Sequence, residues 1–434
     1  MSVLTVIEAG SRAGRRAVEK LVRRGEGILD ERTMRKASAI VTRVRRKGDR
    51  ALLDFARKLD GAGASSVSEL RLNIPAGSGA LPGGFAEALE RAIAAVERFH
   101  APQVRTGYCL QSGLDDEDGV MLEERIQPLR RVGVYVPGGR AAYPSTVVMT
   151  VIPARLAGVR EIAVATPPGS YRSNAALRHT LERLGVTEVW GMGGAHAVAA
   201  FAYGTETVGR VDKIVGPGSA WVTAAKKVVS GDVGIDGIAG PSEVVIVADA
   251  DADPALLAAD LLAQAEHDPL AAAVLIVTDR KLGKLVAREV GEQLRPLSTS
   301  STARASLTRF GAVLVVRSLD EAVHLVEKIA PEHLQLVGQQ SETLAGRISS
   351  AGAIFLGAST PEVFGDYIAG PSHVLPTCGS ARFASSLGVE DFLRRSHVIR
   401  FTQAAAARRA AAAAALADAE GLPAHAASAR RRLG

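Results

Sequence analysis

An α/β fold with two parallel-sheet domains is what this 434-residue sequence predicts, on three observations. Short apolar runs ending in glycine alternate with helical segments from Arg131 onward. The alternation restarts at Glu243, after the glycine-rich stretch GIDGIAGPS (234–242). On either side the chain reads as helix, amphipathic before residue 131 and alanine-rich after about residue 386. Buried strands alternating with helices build parallel sheets, because each crossover helix covers one face of the sheet.

The elements follow in order. ERTMRKASAIVTRVRRKGDRALLDFARKLDG (31–61) spaces its apolar positions by three and four with charges between them, the period of amphipathic helices. VGVYVPGG (132–139) is a buried strand closed by Pro-Gly-Gly, and PSTVVMTVIPARLAG its helix. EIAVATPPG (161–169), EVWGMGGAH (188–196) and KIVGPGSAW (213–221) repeat the plan. The second series opens with EVVIVAD (243–249) and a helix marked by Asp253 as N-cap and Pro254 in its first turn. AAAVLIVTD (271–279), GAVLVVR (311–317), HLQLVG (333–338) and GAIFLG (352–357) supply further strands. Both series resemble incomplete Rossmann-like domains, but no GxGxxG follows a strand where the dinucleotide fingerprint requires it. The fold therefore does not by itself imply a dinucleotide. The expected division is an N-terminal helical arm (1–25), a helical region (26–131) packing with a second α/β domain (242–385), a first α/β domain (132–241), and a helical tail (386–434). FTQAAAARRAAAAAALADAE in that tail has little to bury and is expected to pack on the body or on another subunit.

Composition narrows the function classes. Hydrophobic residues at 47% suffice for a sizeable core, and aromatics at 4% leave the packing to aliphatic side chains. Lys and Arg (52) exceed Asp and Glu (46) by six, an excess gathered in RRAVEKLVRR, VRRKGDR and the terminal RRR. Basic runs without interleaved aromatics read as solvated helix faces, so nucleic acid is not an expected partner. Cys109 and Cys378 have no CxxC partner, and STVVMTVIPARLAGV, broken by Pro153 and Arg155, is too short to span a bilayer. With no apolar leader segment, a cytoplasmic protein with no membrane partner is expected.

Polar residues then point to chemistry. LLAQAEHDP (261–269) sets Gln264 and His267 three apart, on one helical face at a carbonyl terminus where a cation is favoured. Zinc needs further ligands. They are offered by Glu332 and His333 in APEHLQL, by Asp366 and His373 in FGDYIAGPSHVLPT, and by Glu420 and His425 beyond the alanine helix. His196, in GMGGAH, also lies at a strand end, where α/β sites form. Spacing alone leaves each of these open to a structural role.

In order and spacing, RVGVYVPGG, MGGAH, IVGPGSAWVTAAKK, GPSEVVIVAD, LLAQAEHDP, APEHLQL and GDYIAGPSHVLPT resemble the histidinol dehydrogenase family across essentially the whole chain. The resemblance implies a zinc-dependent homodimer that oxidises L-histidinol to L-histidine through an aldehyde with two NAD. It implies zinc ligands at Gln264, His267, Asp366 and His425, the last supplied across the dimer by the tail. Substrate contacts are implied at the four ligands, Ser242, His333, His373 and Glu420, and catalytic bases at Glu332 and His333. On the cofactor side it implies Tyr135 and the positions of His196 and Ser219, where relatives commonly carry Gln and Asn; Ser372 likewise stands where Asn is frequent. A related zinc- and NAD-dependent enzyme for another small polar alcohol is the enzymatic alternative. A non-catalytic basic nucleic-acid-binding protein is the other, and the missing stacking aromatics count against it.

Overall fold

The structure, a computed structural model, describes residues 3–27, 29–74, 77, 79–111, 119–138 and 143–433. In the first sheet Arg131–Tyr135 is central, flanked by Glu161–Thr166 and then Glu188–Gly191 on one side, and by Lys213–Val215 and Gly234–Ile235 on the other, all parallel. The second sheet repeats this order. Glu243–Ala248 is central, Ala272–Val277 and Ala312–Val315 lie on one side, and His333–Val337 and Ala353–Leu356 on the other. In each sheet the strand order reverses at the central strand, the switch point that defines doubly wound folds. Every residue of Glu243–Ala248, Ala272–Val277 and His333–Val337 is buried, as expected of parallel strands covered on both faces.

Three departures from the expected division come from long-range pairing. The N-terminal arm is not purely helical: Val6–Glu8 adds a parallel edge strand beside Ala312–Val315. Residues 26–131 were expected against the second sheet, yet their helices cover the first. Helix Glu31–Asp60 buries Val41, Val44, Leu52 and Ala56 among Ala197, Phe201 and Val222. Helix Phe85–His100 buries Leu89, Ile93 and Val96 with Val147 and Val151 on the opposite face. The same region contributes Tyr108–Gln111 and Val120–Pro128, which join Leu393–Phe401 in a three-stranded antiparallel sheet. The segment after residue 386 thus includes a nine-residue strand. Its arginines obscure the β-branched pair Val398–Ile399, and its partner strand lies far away in sequence.

Helices Gln403–Ala419 and Pro423–Arg430 follow, and Ala414, Ala417 and Ala426 form a small cluster of their own. Among the described residues no helix is long and apolar enough to cross a membrane.

Candidate active site

The amino edge of the second sheet gathers most of the predicted polar residues. Helix Leu319–Ile329 stops where Ala330 turns left-handed (φ 50°), and Pro331 prevents its continuation. The chain then enters the sheet through Glu332 and His333, both buried, with His333 paired to Val244 and Ala353. The backbone N–H of Glu243 donates to Glu332 Oε2 (3.0 Å), and that of Glu332 to Glu243 Oε1 (3.3 Å). Arg24 balances Glu243 from a fully enclosed position at 3.3 Å and also donates to the carbonyls of Pro241 and Ser242. Half-buried Ser242 is held there by its main chain. Burial pushes the Glu332 carboxyl well above the usual carboxylate range, and the neighbouring Glu243 adds to the rise. Burial pushes His333 down to about 4, so its ring is neutral at neutral pH. With Nδ1 3.1 Å from the Glu243 carbonyl, the neutral ring donates there and keeps Nε2 as its basic atom.

Helix Pro254–Ala265 returns against the strands, so its carbonyl end reaches this edge. Gln264 is wholly buried; its Nε2 lies 3.0 Å from His267 Nδ1, and its Oε1 has no hydrogen-bond partner. His267 Nε2 lies 4.0 Å from Asp366 Oδ2, beyond hydrogen-bond reach but within the span of two ligands sharing one cation. Nearby, Glu362 is buried with Oε1 3.7 Å from His333 Nδ1 and Oε2 unpartnered. Burial raises its carboxyl well above the usual range, with further contributions from Asp366 and Glu332.

An orphaned amide oxygen, an imidazole and a carboxylate, set among further carboxyls in low dielectric, suit a hard or borderline cation. Among the described residues no three His, Cys, Asp or Glu side chains converge on a metal position. The candidate donors within one chain are therefore His267 and Asp366 with the Gln264 amide oxygen.

The loop carrying Asp366 and His373 is tied across to the first domain. His373 Nδ1 donates to the Asp366 carbonyl (3.0 Å). Pro153 lacks the N–H that would bond the Met149 carbonyl inside helix Pro144–Leu156. Ser372 Oγ donates to that freed carbonyl (3.3 Å), which gives the serine a packing role of its own.

The facing region is the carboxyl edge of the first sheet, at its switch point. Gly216 follows Lys213–Val215 at φ 105°, and a Cβ there would run into the Tyr135 carbonyl. The buried Lys226–Asp236 pair grips this glycine: Lys226 Nζ donates to its carbonyl (2.6 Å), and Asp236 accepts its N–H (2.6 Å). Ser219 begins helix Ala220–Val229, is exposed, and makes no side-chain cap. Tyr135 and His196 are buried instead. The Tyr135 hydroxyl accepts the Gly194 N–H (3.1 Å), and burial pushes its pKa to about 12. His196 Nε2 lies 2.7 Å from Asp60 Oδ2. Close-packed glycines at the strand ends with an open helix N-terminus fit a dinucleotide, whose backbone approach needs such bare turns.

The family model described as histidinol dehydrogenase matches residues 24–433. The chain belongs to the histidinol dehydrogenase family. A curated histidinol dehydrogenase of Geobacter sulfurreducens is 46% identical over 401 residues, covering 91% of this chain and 92% of that one. Another, of Caulobacter vibrioides, is 46% identical over 416 residues, covering 94% and 96%. The crystal structure of histidinol dehydrogenase from Elizabethkingia anophelis superposes with a TM-score of 0.87 at 31% identity, over 100% of this chain and 98% of that one.

Of the residues the histidinol dehydrogenase resemblance implied, Ser242, Gln264, His267, Glu332, His333, Asp366 and His373 come from the same edge of the fold. Glu420 and His425 do not join them within the chain. Both lie exposed at the tail helices, and the His425 side chain makes no hydrogen bond or ion pair among the described residues. Sequence reasoning missed Arg24, Glu243, Glu362 and Asp60. Glu362 had a signal: it stands one helical turn before Asp366 in PEVFGDY and shares its face. The other three have meaning only through distant partners.

Proposed function

We propose that this protein is a histidinol dehydrogenase, oxidising L-histidinol to L-histidine through L-histidinal in the last steps of histidine biosynthesis. It works as a zinc-dependent, NAD-linked homodimer in the cytoplasm. The observation that carries this reading is the buried Glu332–His333 pair beside Gln264, His267 and Asp366, in a chain whose curated relatives are named histidinol dehydrogenases. Gln264, His267 and Asp366 would hold zinc, with His425 of the partner subunit as the further ligand. The exposed position of His425 supports a ligand offered outward. When bound, zinc supplies a fixed positive charge that anchors the substrate nitrogens, and NAD supplies the hydride acceptor. Tyr135, His196 and Ser219 belong to the cofactor side, with Ser219 the one open to direct contact.

His333 takes the alcohol proton at Nε2, a role suited to a ring held neutral. Once the aldehyde has formed, water must add before a second oxidation, and Glu332 takes the proton from that water. Ser242 and His373 hold the substrate's polar groups, together with Glu420 of the partner subunit.

The test is NADH formation from histidinol before and after chelation, with zinc then restored. Two NADH per histidinol, abolished by chelation and recovered with zinc, is the expected result. Activity that survives thorough zinc removal refutes the metal role. Turnover of other small polar alcohols but not of histidinol refutes the substrate.

A further inference from the structure

We infer that Asp60 is a positioning residue for the dinucleotide, holding the Gly193–Gly194 turn in place directly and through His196. The inference rests on the NAD linkage proposed above. Strand Glu188–Gly191 passes into helix Gly194–Tyr203 through this turn, at the carboxyl edge of the first sheet. The first N–H groups of a helix have no partner within it. Here two of the nearest are already taken from the protein side. Gly193 N–H donates to Asp60 Oδ2 (3.0 Å), and Gly194 N–H donates to the Tyr135 hydroxyl (3.1 Å). A carboxylate in that place disfavours a phosphate on the same amides, so the turn offers its bare backbone edge as a wall rather than an anion cradle.

Asp60 does more than cap. The same Oδ2 lies 2.7 Å from His196 Nε2, and Phe55, from the same helix, stacks on the imidazole at 6.1 Å between ring centres and 27° between planes. The ring is 1% exposed, and its Nδ1 has no hydrogen-bond partner. One carboxylate oxygen therefore fixes both the first amide of the turn and the ring three residues further on. Space is tight as well: a Cβ at Gly193 would lie 3.1 Å from both Asp60 Oδ1 and Pro167 Cγ. Helix Glu31–Asp60 thus ends as a strut under the cofactor turn. The histidine at position 196 makes the strut effective, because it is long enough to reach the aspartate and rigid enough to stack.

The experiment measures NADH binding by fluorescence titration in wild type, Asp60→Ala and Asp60→Asn, alongside KM and kcat. Asp60→Ala is expected to weaken NADH binding and raise KM for NAD by about tenfold, the loss of two buried hydrogen bonds, with kcat and KM for histidinol within about twofold. Asp60→Asn keeps an acceptor oxygen and should recover binding to within about threefold of wild type. If Asp60→Ala fails to fold, His196→Phe keeps the stack and the Gly193–Asp60 bond but breaks the link to the ring, and should weaken NADH binding and raise KM for NAD by about threefold; unchanged NADH binding in it overturns the inference. Unchanged NADH binding in Asp60→Ala, or equal losses in Asp60→Ala and Asp60→Asn, overturns the inference while leaving the NAD linkage intact. Failure of the wild type to bind NADH overturns the NAD linkage and the inference with it.

Discussion

Glu332 lies beneath the site in a position that dictates how it can act. A carboxyl raised by burial and by Glu243 keeps its proton at pH values where an exposed glutamate is ionised. As the base proposed for the aldehyde step, Glu332 must first lose that proton, so oxidation of the aldehyde should rise with pH through an apparent pKa above the usual carboxylate range and fall as pH drops. Glu332→Gln should cost the aldehyde step roughly 10²–10⁴-fold, cost the alcohol step less, and flatten that pH limb. Feeding the aldehyde and the alcohol separately checks this, and equal losses would reassign the two bases. The sequence reveals Glu332 because the adjacent Glu and His stand at a helix-to-strand turn, a local pattern. It does not reveal Arg24 or Glu243, whose pairing spans more than two hundred residues. Nor does it reveal Asp60, 136 positions from His196. A buried charge acquires its role from what it is buried against, and that is a tertiary fact.

Single elements were legible in proportion to how local their causes are. Apart from the edge strands Val6–Glu8 and Gly234–Ile235, the strands of both sheets are short apolar runs, and the structure has them where the runs predict. Leu393–Phe401 escaped because an antiparallel strand rich in arginine carries no such signature until its partner Val120–Pro128 is known. Helix Glu31–Asp60 shows the same limit. Its periodicity is plain, but Gly48 breaks it at φ 50°, where the Glu206 carboxylate occupies the space of a Cβ and accepts the Asp49 N–H (2.6 Å). The kink sets the direction of the half-helix that ends in Asp60. Gly48→Ala should therefore destabilise the protein by about 1–3 kcal/mol through backbone strain and displacement of Glu206. Denaturant unfolding measures it; a change below roughly 0.5 kcal/mol would mean that the kink relaxes freely.

For the whole molecule, a row of apolar side chains crosses the antiparallel sheet in register: Ile399 beside Leu122 beside Leu110, exposed at 63%, 42% and 58%. Leu416 on the first tail helix is 69% exposed. In the proposed homodimer such surface is what the partner subunit would cover. If His425 is donated between subunits, two inactive variants should rescue each other. His425→Ala mixed with Gln264→Ala should regain about a quarter of wild-type activity, since about half of the randomly formed dimers would each hold one intact site. Activity assayed after subunit exchange tests this, and no recovery would mean that the ligand set closes within one chain or without His425. The sequence by itself determined the class of fold, the two strand series and most of the polar residues gathered at the amino edge of the second sheet, because hydrophobic period, turn chemistry and helical spacing act over a few residues. Only the tertiary structure decided which sheet the N-terminal helices cover, that Glu362 packs beside His333, that Asp60 reaches Gly193 and His196, and that Tyr135 and His196 are buried beside the Gly193–Gly194 turn. Those outcomes depend on which distant surfaces bury one another, and no local pattern records that.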